Sequence, residues 1–496
     1  MSTHQSMHEM LPIELWRRIL SYAVADSPND LLLLARQTSF SFMKDHEWIY
    51  SPLLNAGRGD WFIRTPEEAS KLLQRSSYGI KKAIILVSRA WRTIATELLY
   101  TRIVLEKPGH LAALLDRFQD QTQLAWWTRS VSLYPYLPTT AAVSAAVSHL
   151  IIRLLELCPN IEHLCIAFYL DAYPSSHIIQ KLCTTNLQHL KWTIPRQSSL
   201  NLVRSLASLK SLRTLDLQII DSDLPTPIAS PPSSCTMPNL GCISLSGELT
   251  EFVNELNTWH CPLLITFSVK LPVDMSTQKA CLEFIIRHAR QLISLNINSI
   301  TPWNVADLLR DCPNLLEFGF NPDWPIARLI HFPHDNLVDI GLHEMWYGFE
   351  VGQGEILTRL RPLIAGAVRL FEDRTISQIT RENFPKLRRV RVLDGALLKA
   401  LYVNGGPAKD SLALCEGWMR RSEVQGWRLE DCTGAKLGQL PPPPASAVDY
   451  SESEEESGTE DSESQDEVDD DDKDGDEDSA EESGPEQSDD GDHLGP

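Results

Sequence analysis

The hexapeptide LISLNI, Leu292 to Ile297, puts apolar residues at its first, fourth and sixth places and polar ones at its third and fifth. From the third place onward it alternates as a half-buried β-strand does, because successive strand side chains point to opposite faces. The same Leu-x-x-Leu-x-Leu frame, with other apolar residues in some Leu places, recurs upstream as IEHLCI at 161, LQHLKW at 187, LRTLDL at 212, LGCISL at 240 and LITFSV at 264. Downstream it recurs as LLEFGF at 315, LVDIGL at 337 and LRRVRV at 387. The intervals are 26, 25, 28, 24, 28, 23, 22 and 50 residues. The last equals two periods, so one copy is degenerate or interrupted around Gly348 to Arg374; RSVSLY at 129 is a further, incomplete copy.

Helix-like segments separate the strands, among them AAVSHLIIRLLELCPN, LVRSLASLKS and WNVADLLRDCPN, several of them stopping at Cys-Pro or a polar turn. One strand and one helix every 22 to 28 residues cannot bury an apolar edge alone, whereas stacked copies form a continuous core. The pattern predicts an α/β chain, and it resembles an irregular leucine-rich-repeat solenoid in which Cys often precedes the strand. The Asn that family carries just after the strand is missing here. With the Leu places turned inward, the intervening residues line a concave face: His163, Cys165, His189, Lys191, Thr214, Asp216, Gln218, Ser244, Ser246, Thr266, Ser268, Ser294, Asn296, Asn298, Glu317, Asn321, Asp339, His343, Arg389 and Arg391. Singly these read as a solvated strand face. Together, a long polar surface is what solenoids use to hold a protein partner, and His189, Lys191, Asp216, Ser244, Asn296, Glu317, Asp339, Arg389 and Arg391 are the candidate substrate-binding set.

Ahead of the repeats lies LPIELWRRIL, Leu11 to Leu20, whose Leu11, Leu15, Ile19 and Leu20 fall near one helical face. So short a helix needs a partner surface, because nucleation is costly and ordering each residue's backbone costs roughly 1–2 kcal/mol. Further on, KKAIILVSRAWRTIATELLYTRIVL, Lys81 to Leu105, sets Ile84, Val87, Trp91, Ile94 and Leu98 at helical steps and runs into a β-rich RIVL. A Leu-Pro helix and a Leu-Val-Ser-x-x-Trp helix placed before such repeats resemble an F-box protein, of the type abundant in mushroom-forming fungi. The closing CEGWMRRSEVQGWRLED, Cys415 to Asp431, is similar to how those chains end, with a helix and a last short strand.

That resemblance implies a substrate-recruiting subunit of a cullin-RING ubiquitin ligase. The F-box binds a Skp-type adaptor, and through it a cullin scaffold, while the repeats bind a protein substrate of unknown identity. Leu11, Pro12, Leu15, Ile19, Leu20, Val87 and Trp91 match the motif and are the implied adaptor contacts: Leu11 and Pro12 with some of Leu15, Ile19 and Leu20 from the first helix, and from the second Val87 and Trp91, which equally fit the small domain's own core. The implied organisation is an F-box-like helical domain over 1–105 with an inserted loop at about 36–78, a solenoid with a C-terminal cap over 106–440, and a disordered tail over 441–496.

The tail carries the acidity of the chain. Asp449 to Asp492 holds 24 Asp and Glu against one Lys, about −23 of the formal −21, which leaves the rest near +2 from 44 basic and 42 acidic residues. That balance points neither to nucleic acid nor to a membrane surface. The tail opens on a proline run, and Ser451, Ser453, Ser464 and Ser479 each have an acidic residue three places on, as an acidophilic kinase requires. Repeats followed by an acidic tail also resemble histone-binding chaperones and Ran-type GTPase activators; a scaffold or histone-binding protein without a ligase role is the rival reading.

The first ten residues lack a signal-peptide pattern, and the longest apolar run, Ala141 to Leu157, is interrupted by His149, Arg153 and Glu156, so a cytoplasmic or nuclear protein is expected. No phosphate-binding glycine motif or nucleophile elbow occurs, and HFPH at 331 offers two His without further ligands. Cys158, Cys261 and Cys312, each before a Pro, read as small buried hydrophobes. No catalytic residue, metal or cofactor is expected.

Overall fold

The computed structural model describes residues 11–24, 47–51, 60–64, 66–134, 141–168, 170, 172–196, 205, 206, 208–220, 235–270, 274–299, 303–322, 333–343, 366, 370, 373–393 and 409–437. The proline run and the acidic tail, with Ser451, Ser453, Ser464 and Ser479, lie outside them.

The chain is α/β, with helices and a parallel sheet. It begins with helix α1 (Ile13–Ala23), an antiparallel hairpin of β1 (Glu47–Ser51) and β2 (Asp60–Arg64), and helices α2 (Pro66–Val87) and α3 (Arg89–Thr101). Then follow β3 (Arg102–Leu105), α4 (Pro108–Asp120), α5 (Thr122–Trp127), β4 (Ser130–Leu133), α6 (Ala141–Leu157), β5 (His163–Ile166), α7 (Ala172–Leu182), β6 (His189–Pro195) and β7 (Thr214–Ile220). The middle holds β8 (Cys235–Thr236), β9 (Cys242–Gly247), α8 (Thr250–Leu256), β10 (Trp259–His260), β11 (Thr266–Lys270), α9 (Met275–His288), β12 (Ser294–Ile297) and α10 (Val305–Asp311). The last elements are β13 (Glu317–Phe320), β14 (Asp339–Leu342), β15 (Arg389–Val392), α11 (Lys409–Gln425) and β16 (Arg428–Glu430).

Twelve strands form one sheet, β3-β4-β5-β6-β7-β9-β11-β12-β13-β14-β15-β16, every pair parallel and the strands in chain order, with β8 and β10 skipped. All nine frames supply a strand that starts two residues after the frame's first apolar residue. β8 and β10 pair separately. β14 pairs directly with β15, Asp339 opposite Arg389, so the double interval is an interruption and adds no strand to the sheet.

From β4 to β15 each step of the sheet is built alike. The carbonyl just before one strand accepts two successive amides at the start of the next: Ile265 O from Ile293 N and Ser294 N, Ile293 O from Leu316 N and Glu317 N, Leu316 O from Val338 N and Asp339 N. The frame's apolar places, such as Leu292, Leu295, Leu315, Phe318, Leu337 and Ile340, pack with helix residues such as Phe284, Ile285, Leu308 and Leu309 into one core. β9 leaves β7 so closely that a Cβ on Gly247, at φ +91°, would run into the Ile219 carbonyl.

Two expectations about the N-terminal region change. Residues read as an inserted loop include β1, β2 and the start of α2, while 36–46, 52–59 and 65 lie outside the described residues. The helix read through Lys81 to Leu98 is broken at Ser88, which is extended at φ −158° and ψ 166°; its hydroxyl accepts from the Trp91 amide, capping α3. The Ser of Leu-Val-Ser-x-x-Trp is therefore a helix start and not a helix interior.

Candidate functional site

Two surfaces gather the residues singled out in the sequence. The first is α1. Trp16, Leu20 and Val24, spaced by four, lie on the side turned toward the chain, where they pack with Ile84, Ile94, Ala95, Trp91 and Leu98. The Trp16 and Trp91 rings meet at 5.0 Å between centroids, tilted by 51°, and Arg17 pairs with Glu97 at 3.1 Å. The other side stays open, with Leu11 39%, Leu15 45% and Ile19 45% exposed and Pro12 exposed at the helix start. Leu20, expected on that open face, is instead 4% exposed, because it lies one residue past Ile19 and so about 100° further round the helix. Trp91 is half-buried against Trp16, whereas Val87 ends α2 at 61% exposure, beside Leu86 at 80%.

The sequence reading missed Ile13 and Leu86 as exposed apolar residues. Ile13 was legible as an apolar residue in the first turn of a short amphipathic helix. Leu86 was not, because it follows from where α2 stops.

The second surface is the face of the sheet opposite the helices, where side chains form rows across the strands. One row runs through Arg102, Ser130, His163, His189 and Thr214 and continues through Ser294, Glu317, Asp339, Arg389 and Arg428. His163 and His189 stack with centroids 4.0 Å apart and rings within 11° of parallel. Burial, then His189 and Arg102, holds His163 down to about 3; burial and Arg213 hold His189 down to about 4. Both rings are neutral at ordinary pH. Further along, Asp339 takes two bonds from Arg389, 2.6 Å each, and burial raises Glu317 above the usual carboxylate range although a hydrogen bond with Ser294 opposes it.

The next row contains Lys191, Asp216, Ser244, Ser268, Asn296, Gly319, Gly341, Arg391 and Glu430. Lys191 lies 3.7 Å from Asp216, Asn296 donates to Ser268 at 3.1 Å, and Arg391 donates to Glu430 at 2.8 Å.

The solvated strand face expected from the alternation is thus only partly solvated. Ser244, Asn296, Asp339 and Arg391 of the candidate set are buried, the last three through bonds to neighbouring strands; His189, Lys191, Asp216, Glu317 and Arg389 are half-buried. Strand-by-strand alternation cannot reveal this, because each partner belongs to another repeat.

A structural device that the sequence reading overlooked sits just ahead of the frames. Asn160, Asn239, Asn314 and Asn336 donate to carbonyls one unit back, those of Trp126, Lys210, Arg290 and Pro313, at 2.6–3.1 Å. Ser211 and Gln291 do the same for Leu187 and Cys261. The sought Asn was expected after the strand; it stands before it, one residue ahead of the first frame position.

Cys158, Cys261 and Cys312 are buried, and burial pushes each thiol up to about 12, so they pack as hydrophobes. Among the described residues no group of three His, Cys, Asp or Glu is placed to hold a metal ion, and no helix is long and apolar enough to cross a membrane. No family model matches this chain, and no curated protein matches it.

Proposed function

We propose that the chain is a substrate-recruiting subunit of a cullin-RING ubiquitin ligase. In this reading α1, α2 and α3 form an F-box-like unit that binds a Skp-type adaptor, and the parallel sheet with its helices is a leucine-rich-repeat solenoid that holds a protein substrate in the cytoplasm or nucleus. The chain itself catalyses nothing; ubiquitin transfer is left to the conjugating enzyme.

The observation that carries the reading is the division of α1 into two apolar sides. Trp16, Leu20 and Val24 close the chain's own small core, while Leu11, Leu15 and Ile19 are left open directly after a Leu-Pro start. Burying the exposed half of three such side chains is worth about 1 kcal/mol each, enough to favour a second polypeptide there. Pro12 and Val87 extend the contact; Leu20 and Trp91 support it from within. The solenoid part is supported by a parallel sheet whose strands follow chain order, with β8 and β10 set aside as a separate pair, and by the repeated carbonyl that receives two amides.

The test is co-expression with a Skp-type adaptor. The wild-type chain should co-purify with it, and Leu15→Asp with Ile19→Asp should abolish this without lowering the thermal midpoint, since neither side chain lies in the core. Wild-type chain recovered with histones and no adaptor would favour the scaffold reading instead.

A further inference from the structure

The residue immediately before each strand belongs to neither polar row. In most units it is polar or glycine: Glu162, Gln188, Arg213, Gly241 and Arg388. In four consecutive units it is apolar: Ile265, Ile293, Leu316 and Val338. These four are bonded in series, Ile293 N to Ile265 O, Leu316 N to Ile293 O and Val338 N to Leu316 O, each 2.8 Å, so they stand on adjacent strands at one level of the sheet. They are not core residues. Ile265 is 46% exposed, Ile293 38% and Leu316 42%, with Val338 half-buried.

The position one residue ahead of the frame departs in the same place. Where Asn239, Gln291, Asn314 and Asn336 tie one unit to the last through a side-chain bond, the unit between Asn239 and Gln291 has Leu263, which is 55% exposed. Leu263 cannot make such a bond, and it adds apolar surface instead.

Charge bounds the stripe at both ends. In the same row Arg213 precedes it, with Gly241 between, and Arg388 follows Val338. Both arginines are exposed, and neither forms an ion pair with a described residue. At about 4.8 Å per strand the apolar part spans roughly 14 Å and the two arginines stand roughly 29 Å apart, the reach of about nine extended residues. A solvent-facing row has no reason to be apolar over four strands and cationic at its two limits, whereas a ligand of matching pattern gives it one.

We propose that this stripe, Leu263, Ile265, Ile293, Leu316 and Val338 between Arg213 and Arg388, is a docking surface for an extended segment of a partner protein whose apolar side chains are flanked on both sides by Asp or Glu. The stripe runs along the N-terminal ends of β11 to β14 and shares no residue with α1, so the inference stands whether or not α1 binds an adaptor. It also names the kind of segment a recruited substrate would present.

The probe is a random sixteen-residue peptide library displayed on phage and selected on the immobilised full-length chain. Enriched peptides should carry a short apolar run with acidic residues on both sides. A synthetic copy should bind the chain bearing Ile293→Asp and Leu316→Asp about tenfold or more weakly. The chain bearing Arg213→Glu and Arg388→Glu should select Lys or Arg flanks in place of acidic ones. Circular dichroism should show all variants folded, since every altered side chain is exposed. Absence of enrichment, peptides lacking the pattern, flanks indifferent to the charge reversal, or concentration-dependent dimerisation of the chain lost in Ile293→Asp would each overturn the proposal. Adaptor co-purification, measured on the same variants, should be unchanged, which separates this outcome from that of the ligase reading.

Discussion

The His343 imidazole lies with Nε2 2.6 Å from Oδ1 of Asn296, joining the residue after β14 to the middle of β12 across the intervening β13. Both residues are buried, and β13 contributes Gly319 opposite Asn296, so no side chain stands there. Asn296 donates its amide to Ser268, which leaves its oxygen to accept from the ring, so Nε2 carries the proton. Asn296→Leu would strand a buried donor, an effect of about 1–3 kcal/mol. Urea unfolding should show that loss, and an unchanged midpoint would mean the bond is not made.

Two buried imidazoles, His288 and His343, and two half-buried ones, His163 and His189, give the fold an acid limit. Burial, with Lys270 nearby, holds His343 down to about 3, and burial likewise holds His163 to about 3 and His189 and His288 to about 4, against an ordinary 6.5. Arg102 and His189 face His163, Arg213 faces His189, and Arg287 and His260 face His288. A lowered imidazole binds its proton more weakly in the folded chain than in the unfolded one, so the unfolded state takes up more protons as pH falls. The stability is complete above about 6.5 and is lost progressively toward 4 and below. The thermal midpoint should fall over that window, and His163→Phe with His189→Phe should flatten the fall while keeping a stacked pair of rings.

The legible part of this fold was its period. Nine frames at near-constant spacing located nine of the twelve sheet strands, because the alternation of Leu295, Asn296 and Ile297 is fixed by local backbone geometry. RIVL, SVSL and RLE at the two ends were visible as strand-like or partial copies. What the sequence did not reveal was set by neighbours in space. Leu20 looked equivalent to Ile19 until α2 and α3 chose one side of the helix. Asp339 looked solvated until Arg389, fifty residues on, lay across it. The break at Ser88 was written in the sequence as a capping residue three places before Trp91, but helical spacing of Ile84, Val87 and Trp91 ran through it and hid it.

The last two strands are tied by a buried ion pair. Arg391 and Glu430 are 6% and 3% exposed at 2.8 Å, and Gly434, at φ +85°, leaves room for the guanidinium, since a Cβ there would come within 3.1 Å of it. Arg391→Met would leave Glu430 to Arg428, which is 72% exposed. The expected loss is about 3–5 kcal/mol, much of which Arg391→Met combined with Glu430→Met should recover. Denaturant midpoints of the two single variants and the double variant decide this, and strictly additive losses would count against the pairing.

The central claim is that α1 keeps one apolar side for a second polypeptide. Hydrogen exchange of the full-length chain, with and without a saturating Skp-type adaptor, measures it most directly. The account predicts slowed exchange in the peptide spanning Leu11 to Val24, with strands β11 to β14 unchanged. Exchange in Leu11 to Val24 unaltered by the adaptor, or protection confined to the sheet, would contradict it.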